Sequence, residues 1–286
     1  MNKNRLFYLG MLLLLSVAIM AFTQATNLFE HTDQAMAGLA TEPGHTIGDD
    51  VGKGASADKF ELFVSDANNF DKGPWKILRY DSDGINPRVF TEEQLGWPQD
   101  IVVLEEEAIV LISNLTTGKI NRHKLSDGAY LGEFANVPGA PTRTKFGPDG
   151  LLYILQWQGN GKVQRFRRDG TFVDEFTDVG INQSIGLDWD SDGNLYVSSF
   201  GNKHIRKFDR NGKDMGLFVS TDMAGPTDIA FTKAGELLVN DWKAGLVLRF
   251  SKEGTLLGQF SSGVSQAEGL TTLPNGNILI GNGAGS

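Results

Sequence analysis

A basic side chain recurs along this chain at gaps of 43, 43, 42 and 42 residues. In every copy a β-branched residue precedes it by two positions, and an aromatic residue or a histidine follows it. A glycine and a phenylalanine follow each copy with nearly the same spacing. The basic column consists of Arg79, Arg122, Arg165, Lys207 and Arg249, the glycine column of Gly84, Gly128, Gly170, Gly212 and Gly254, and the phenylalanine column of Phe90, Phe134, Phe176, Phe218 and Phe260. Three columns that share one period indicate an internal structural repeat.

Short apolar runs lie between these columns, and turn dipeptides such as Asp192-Gly193 separate them. Runs of this kind, each followed by a glycine turn, are typical of consecutive β-hairpins. A repeat of about 40–45 residues built from hairpins is typical of a β-propeller, in which each repeat forms one four-stranded blade. We therefore predict an all-β, six-bladed β-propeller over residues 58–286.

The repeats at the two ends of the array are incomplete. If the strands of a blade are named a to d along the chain, the repeat that starts at Lys59 contains strands b, c and d but no strand a. The repeat that starts at Glu268 contains only strands a and b. We therefore expect an incomplete last blade, either because the sequence is a fragment or because a six-bladed ring ends in a partial blade.

The N-terminal segment has the pattern of a secretory signal. Lys3 and Arg5 precede an apolar run from Leu6 to Phe22, and small residues lead to a cleavage site after Ala25. We predict a signal peptide over residues 1–25 and a flexible linker over residues 26–57, which are rich in Gly, Ala, Thr and Asp. The chain has no cysteine, so we expect a secreted or periplasmic protein without disulfides. The alternative is an uncleaved N-terminal membrane anchor, which is the one case in which we expect a membrane partner.

The charge of the chain argues against nucleic acid as a partner. Removal of Lys3 and Arg5 with the signal takes the formal charge from −9 to −11. Sequence-independent binding to nucleic acid depends on Lys and Arg that neutralise phosphates. The absence of cysteine also excludes thiolate catalysis and thiolate metal sites.

Charged residues interrupt the column that should line the central channel. The second residue of strand a in successive blades is Asp100, Arg143, Gly186, Asp228 and Gly269. Charges that are buried near the propeller axis need partners. Either these residues pair with each other across the channel, or they hold a polar ligand or a cation.

Two further columns follow from the end of strand b. Polar residues end this strand in all six repeats, and we expect them either to cap backbone groups in the turn to strand c or to contact a ligand. Aromatic residues stand directly after them in three repeats, where they either pack between blades or stack on a sugar or another ring. The polar column is Asp66, Ser113, Gln156, Ser199, Asp241 and Asn282, and the aromatic column is Trp157, Phe200 and Trp242.

The segment from Gly201 to Asp209, preceded by Asp192 to Val197, resembles an NHL repeat, and Pro226 to Phe231 resembles the first strand of one. The wider resemblance is to the six-bladed NHL and regucalcin/gluconolactonase-like propellers. It covers residues 59–286 and is specific for the fold rather than for one activity, because this superfamily contains lactonases, lyases and binding scaffolds.

The lactonase branch of that superfamily holds a divalent cation in the channel through a Glu, an Asn and an Asp. Glu268, in the sequence Ala267-Glu268-Gly269-Leu270, resembles the Glu of that set. No Asn occupies the matching slot, which holds Gln99, Thr142, Ile185, Thr227 and Glu268 itself. The complete site is therefore not carried over, and the resemblance implies at most a degenerate Ca²⁺ or Mg²⁺ site with Glu268, Asp228 and Asp241 as ligands.

Two functions remain open from the sequence. The first is a non-catalytic propeller of the cell envelope that binds an unidentified small molecule or an envelope protein. The second is a divalent-metal-dependent hydrolase or lactonase, in which a metal ion polarises the carbonyl and lowers the pKa of bound water. No catalytic residue is identified. The candidate channel and ligand residues are Asp100, Arg143, Asp228, Glu268, Asp66, Gln156, Asp241, Trp157 and Trp242.

Overall fold

The computed structural model describes residues 60–67, 72–81, 84–273 and 277–283, and its regular elements there are 21 β-strands in six antiparallel sheets. The predicted signal peptide and linker, residues 1–25 and 26–57, lie outside the described residues. Within these described ranges the chain forms no helix that is long and apolar enough to cross a membrane.

The strands follow one another along the chain in sheet order. The first sheet contains β1 (Leu62–Asp66), β2 (Lys76–Tyr80) and β3 (Arg88–Thr91). The second contains β4 (Pro98–Leu104), β5 (Ile109–Asn114), β6 (Lys119–Lys124) and β7 (Tyr130–Asn136). The third contains β8 (Pro141–Phe146), β9 (Leu152–Gln156), β10 (Gln164–Phe166) and β11 (Phe172–Glu175). The fourth contains β12 (Ser184–Trp189), β13 (Leu195–Ser199), β14 (His204–Phe208) and β15 (Asp214–Val219). The fifth contains β16 (Pro226–Phe231), β17 (Leu237–Asp241), β18 (Leu246–Phe250) and β19 (Leu256–Ser262), and the sixth contains β20 (Leu270–Thr272) and β21 (Ile278–Ile280).

This arrangement confirms the predicted all-β propeller. Four of the sheets are complete four-stranded meanders, whereas the first contains three strands and the sixth contains two. The first sheet therefore supplies strands b to d and the sixth supplies strands a and b, as the repeat pattern indicated. We number the blades 0 to 5 in chain order.

The hydrophobic core lies between neighbouring blades. One buried cluster joins Leu111 and Phe134 of blade 1 to Ile154 and Phe166 of blade 2, and similar clusters join blade 2 to blade 3 and blade 3 to blade 4. Each interior sheet is apolar on both faces because it has a blade on either side. Alternating burial is consequently weak, and strands such as β9 are buried along their whole length.

The glycine and phenylalanine columns share a period because they meet at the blade interfaces. Gly212 lies in the turn between strands c and d with φ of 81°, and a Cβ there would overlap the backbone carbonyl oxygen of Phe176 in the preceding blade. The same contact places Gly128, Gly170 and Gly254 against the carbonyls of Phe90, Phe134 and Phe218. Only glycine combines this backbone conformation with so close an approach.

The basic column stabilises individual blades and forms no single positive patch. Arg165 donates to Asp174 at 2.7 Å and to Asp149 at 2.9 Å, and its guanidinium lies 4.6 Å from the centre of the Phe176 ring. Lys207 Nζ lies 5.1 Å from the centre of the Tyr196 ring in the same blade. A cation above a ring and beside a carboxylate is a local packing arrangement.

Candidate functional site

The central channel is lined by strand a of blades 1 to 5. These inner strands contact each other in the order β4, β8, β12, β16 and β20, so their early residues converge near the axis. Proline begins β4, β8 and β16, where the missing N–H of proline costs no ladder hydrogen bond. The residues that follow each of these starts therefore face one another across the channel.

Arg143 crosses this channel and ties three other blades to its own. Its Nη1 donates to the carbonyl oxygen of Gln99 at 2.5 Å, and its Nη2 donates to that of Glu268 at 2.7 Å. Its Nε lies 3.4 Å from Oδ2 of Asp228. Because Arg143 is only 7% exposed, a positive charge occupies the middle of a nearly dry site.

Two members of the channel column are glycines, and only one of them has a steric reason. A Cβ at Gly186 would overlap the carbonyl oxygen of Thr227, whereas a Cβ at Gly269 would make an ordinary contact, 3.9 Å from Nη2 of Arg143. Within the column, the guanidinium of Arg143 and the carboxylate of Asp228 form an ion pair.

The two aspartates of the column link blades as well as balance charge. Asp100 accepts a hydrogen bond from the backbone N–H of Thr144 at 2.7 Å, and Asp228 accepts one from that of Leu270 at 2.9 Å. Burial raises the pKa of Asp100 to about 6, and Arg143 opposes this effect. Burial likewise raises the pKa of Asp228, again against the attraction of Arg143.

The side chain of Glu268 is buried in the channel without a hydrogen-bond partner. Its side chain is 0% exposed, and neither carboxylate oxygen has a hydrogen-bond partner. Burial raises its pKa to about 8, while Arg143 lowers it by less and the charge of Asp228 raises it further. At neutral pH the group therefore holds a proton.

Gln99 occupies the equivalent slot of blade 1 and shares this condition. It is 1% exposed, and neither its amide nitrogen nor its amide oxygen has a partner. The backbone carbonyls of Gln99 and Glu268 both bind the Arg143 guanidinium. Unpaired buried polar groups are rare because each one costs about 1–3 kcal/mol, so two in equivalent slots of different blades mark the site. The sequence identified Glu268 by resemblance, but it gave Gln99 no role.

The polar column at the end of strand b caps backbone groups. Asp241 accepts hydrogen bonds from the N–H groups of Ala224 at 2.6 Å, Gly225 at 2.9 Å and Ala244 at 3.1 Å. Gln156 donates to the carbonyl of Lys162 at 2.6 Å. Asp66 forms an ion pair with Lys76 at 3.5 Å.

The proposed metal ligands are not assembled into one centre. Asp228 and Glu268 both lie next to Arg143, but the carboxylate of Asp241 is used by the turn that it caps. In the described part of the chain, no three acidic or histidine side chains are placed to share a metal ion. The predicted polar column is wrong at one position, because strand b of blade 1 ends at Asn114 and not at Ser113. Asn114 pairs with Pro98, the first residue of β4, and its Oδ1 accepts a hydrogen bond from the N–H of Gly96 at 2.8 Å.

The aromatic column packs along the propeller face that carries the turns between strands b and c. The centres of the Trp157 and Phe200 rings are 5.7 Å apart, and those of Phe200 and Trp242 are 6.2 Å apart. Trp157 and Phe200 are 8% and 4% exposed, so the packing interpretation holds for both. Trp242 is only partly buried.

Comparison with protein-family models and with curated proteins gives no match. Among solved structures, a gluconolactonase of Xanthomonas campestris superposes with a TM-score of 0.62 at 18% identity, over 78% of this chain and 79% of that chain. Virginiamycin B lyase of Staphylococcus aureus gives 0.59 at 18%, over 80% and 76%. A chain of a nidogen–laminin complex gives 0.59 at 17%, over 70% and 75%. The predicted resemblance to gluconolactonase-like propellers is thus confirmed at the level of the fold.

Proposed function

We propose that this protein is an exported β-propeller that binds a small molecule or an envelope protein. We further propose that Arg143 fills the channel and joins its blades, an arrangement that we call the channel lock. The observation that carries the proposal is the Arg143 guanidinium, which bonds to the carbonyls of two blades and neighbours Asp228 of a third. In a metal-dependent propeller the cation would sit in the channel. Here a side chain of the protein supplies the positive charge in that position.

The charge balance of the channel supports this proposal. Burial opposes the charge of Arg143, but the nearby charges of Asp228 and Asp100 raise its pKa. With Glu268 protonated, two carboxylates remain beside one guanidinium. A divalent cation would have to enter beside a positive charge that is already fixed by hydrogen bonds, and that repulsion is strong where water is excluded.

Thermal unfolding with millimolar Ca²⁺, Mg²⁺, Mn²⁺ or Zn²⁺ tests the lock. We expect no shift of Tm for the wild-type protein. We expect Arg143→Gln to be destabilised and to regain part of its stability with Ca²⁺, because the buried carboxylates of Asp100 and Asp228 then lack a positive charge beside them. Arg143→Lys serves as the matched variant, since it keeps the charge and should stay insensitive to metal. A wild-type protein stabilised by metal by several degrees would refute the lock.

The second candidate is a divalent-metal-dependent lactonase, and one observation favours it. Glu268 keeps two unused carboxylate oxygens in the channel of a fold that gluconolactonases share. If this candidate is correct, the purified protein hydrolyses gluconolactone only with added metal, and both Glu268→Gln and Asp228→Asn abolish the activity. Activity that survives both substitutions, or none with any of the four ions, would reject it.

Export is a proposal from the N-terminal pattern, and its test is separate. We expect the mature protein, in the periplasm or the medium, to begin at Thr26, which mass spectrometry of the isolated protein can determine. A membrane-bound product that begins at Met1 would show that the segment is an uncleaved anchor.

A further inference from the structure

A groove of about 460 Å³ opens beside Trp242, on the face that carries the aromatic column. One wall is the turn between strands b and c of blade 4, residues 242–245. The other wall is the loop that leads into blade 5, residues 263–266. The two walls belong to different blades, as is common for propeller ligand sites built from loops on a rigid scaffold.

The groove exists because the aromatic column stops at Trp242. Trp157 packs on Phe200, and Phe200 packs on Trp242. The next position in this column is Gly283, which follows Asn282 as Trp242 follows Asp241. Among the described residues of blade 5, Gly283 at this position therefore leaves the far side of Trp242 without a ring over it.

The loop opposite Trp242 is held in place although it is largely exposed. Asn282 accepts a hydrogen bond from the N–H of Ser265 at 2.7 Å, and Gly283 donates its N–H to the carbonyl of Ser265 at 2.9 Å. Gly263 has φ of 75°, and a Cβ built there would meet no atom within 4 Å. The groove is therefore an open space between two anchored turns and does not result from loose packing.

The lining indicates the class of ligand. It combines one indole ring with a serine hydroxyl, an amide side chain and backbone turns, and none of its residues is acidic. Its one basic residue, Lys243, places Nζ 4.9 Å from the centre of the Phe200 ring, which belongs to the preceding blade. An aromatic platform with neutral hydrogen-bonding groups at its edge suits a ligand that has apolar faces and many hydroxyls.

We propose that this groove binds a neutral saccharide, with one sugar ring stacked on Trp242 and its hydroxyls bonded to Ser265 and neighbouring backbone groups. The inference rests on the proposed binding function and specifies its ligand. The volume accommodates one or two sugar rings. The open shape predicts dissociation constants in the millimolar range, because much of the ligand would stay in contact with water.

The test is saturation-transfer NMR of the protein with maltose, cellobiose and diacetylchitobiose as neutral probes, and with glucuronate and galacturonate as acidic ones. We expect transfer to at least one neutral probe and weaker transfer to the acids. Trp242→Ala should weaken binding by about tenfold or more. Gly263→Asn should also weaken it, since asparagine tolerates the left-handed backbone and its side chain would enter the groove. Tyr130→Ala removes an exposed ring from blade 1 and is the matched control.

Three results would overturn the proposal. They are no transfer to any neutral probe, binding that is unchanged in both groove variants, and a preference for the acids that Lys243→Met abolishes. If Trp242→Ala does not fold, Gly263→Asn alone decides. Failure of the channel lock would instead appear as metal-dependent stability or lactone hydrolysis in the wild-type protein, so the two failures are distinguishable.

Discussion

Replacement of Glu268 by Gln should change how the stability of the protein depends on pH. The carboxyl group has an ordinary pKa of 4.5 when unfolded and a pKa of about 8 in the folded channel. Between these values the unfolded chain loses a proton that the folded chain keeps. The free energy of unfolding therefore falls as pH rises from about 4.5 to about 8, and the contribution is complete only below the lower value.

The size of this effect follows from the same two pKa values. A change from 4.5 to about 8 corresponds to at most about 5 kcal/mol, because each pKa unit is worth about 1.36 kcal/mol. Glu268→Gln keeps the shape of the side chain and removes its charge. The variant and the wild type should therefore be nearly equal in stability at about pH 5, and the variant should be the more stable by several kcal/mol at about pH 9. Asp100 also lowers the free energy of unfolding as pH rises to about 6, by a smaller amount. This contribution is the same in the wild type and in Glu268→Gln.

Urea denaturation across this pH range measures the effect directly. Glu106→Gln is a suitable control, because the Glu106 side chain is 91% exposed and lies outside the channel. Parallel profiles for the wild type and Glu268→Gln would refute the reasoning. They would mean that Glu268 is ionised in the folded channel and has a partner there.

Three further substitutions test the blade interfaces and the turns. Gly212→Ala should lower the free energy of unfolding by at least about 2 kcal/mol more than Gly193→Ala, because both glycines have φ near 80° but only Gly212 abuts the carbonyl of Phe176; equal losses in urea melts would contradict this contact. Asp241→Ala should cost about 2–4 kcal/mol, since it leaves three backbone N–H groups without their acceptor, and a loss under 1 kcal/mol, measured by calorimetry, would mean that water replaces the cap. Arg165→Met should cost about 1 kcal/mol at low salt and less at high salt, because its carboxylate partners are partly exposed; a cost that salt does not change would assign the stabilisation to the ring contact.

The fold was predictable because each repeat makes the same interfaces. Every interior blade has a neighbour on each side. A contact between blades, such as a turn glycine against a backbone carbonyl, therefore requires the same residue type once in every repeat. The truncated end blades could be identified for the same reason. The strand register was less secure. In blade 1 the capping residue comes sixteen positions after Pro98, whereas in blade 4 it comes fifteen positions after Pro226, and the column was consequently misplaced at Ser113.

The channel was predictable in composition but not in connectivity. Charges at the second position of strand a predicted either pairing or a ligand site near the axis. That Arg143 binds the carbonyls of Gln99 and Glu268 depends on the diameter of the ring and on the length of one side chain, neither of which leaves a periodic signal. The sequence could not predict that the Glu268 carboxylate has no hydrogen-bond partner, because a missing hydrogen bond produces no pattern in the sequence.

The docking of turn glycines on backbone carbonyls has a consequence for assembly. Both partners in that contact are main-chain atoms, so the contact is the same at every boundary where it occurs and does not distinguish one neighbour from another. The order of the blades must come from chain connectivity and from the few interfaces that use distinctive side chains, among them the carboxylates of Asp100 and Asp228. The contact between turn glycine and backbone carbonyl is therefore interchangeable between blades. Whole repeats could be duplicated, deleted or exchanged between such proteins without loss of this contact, while the side chains that line the channel would change with each exchange.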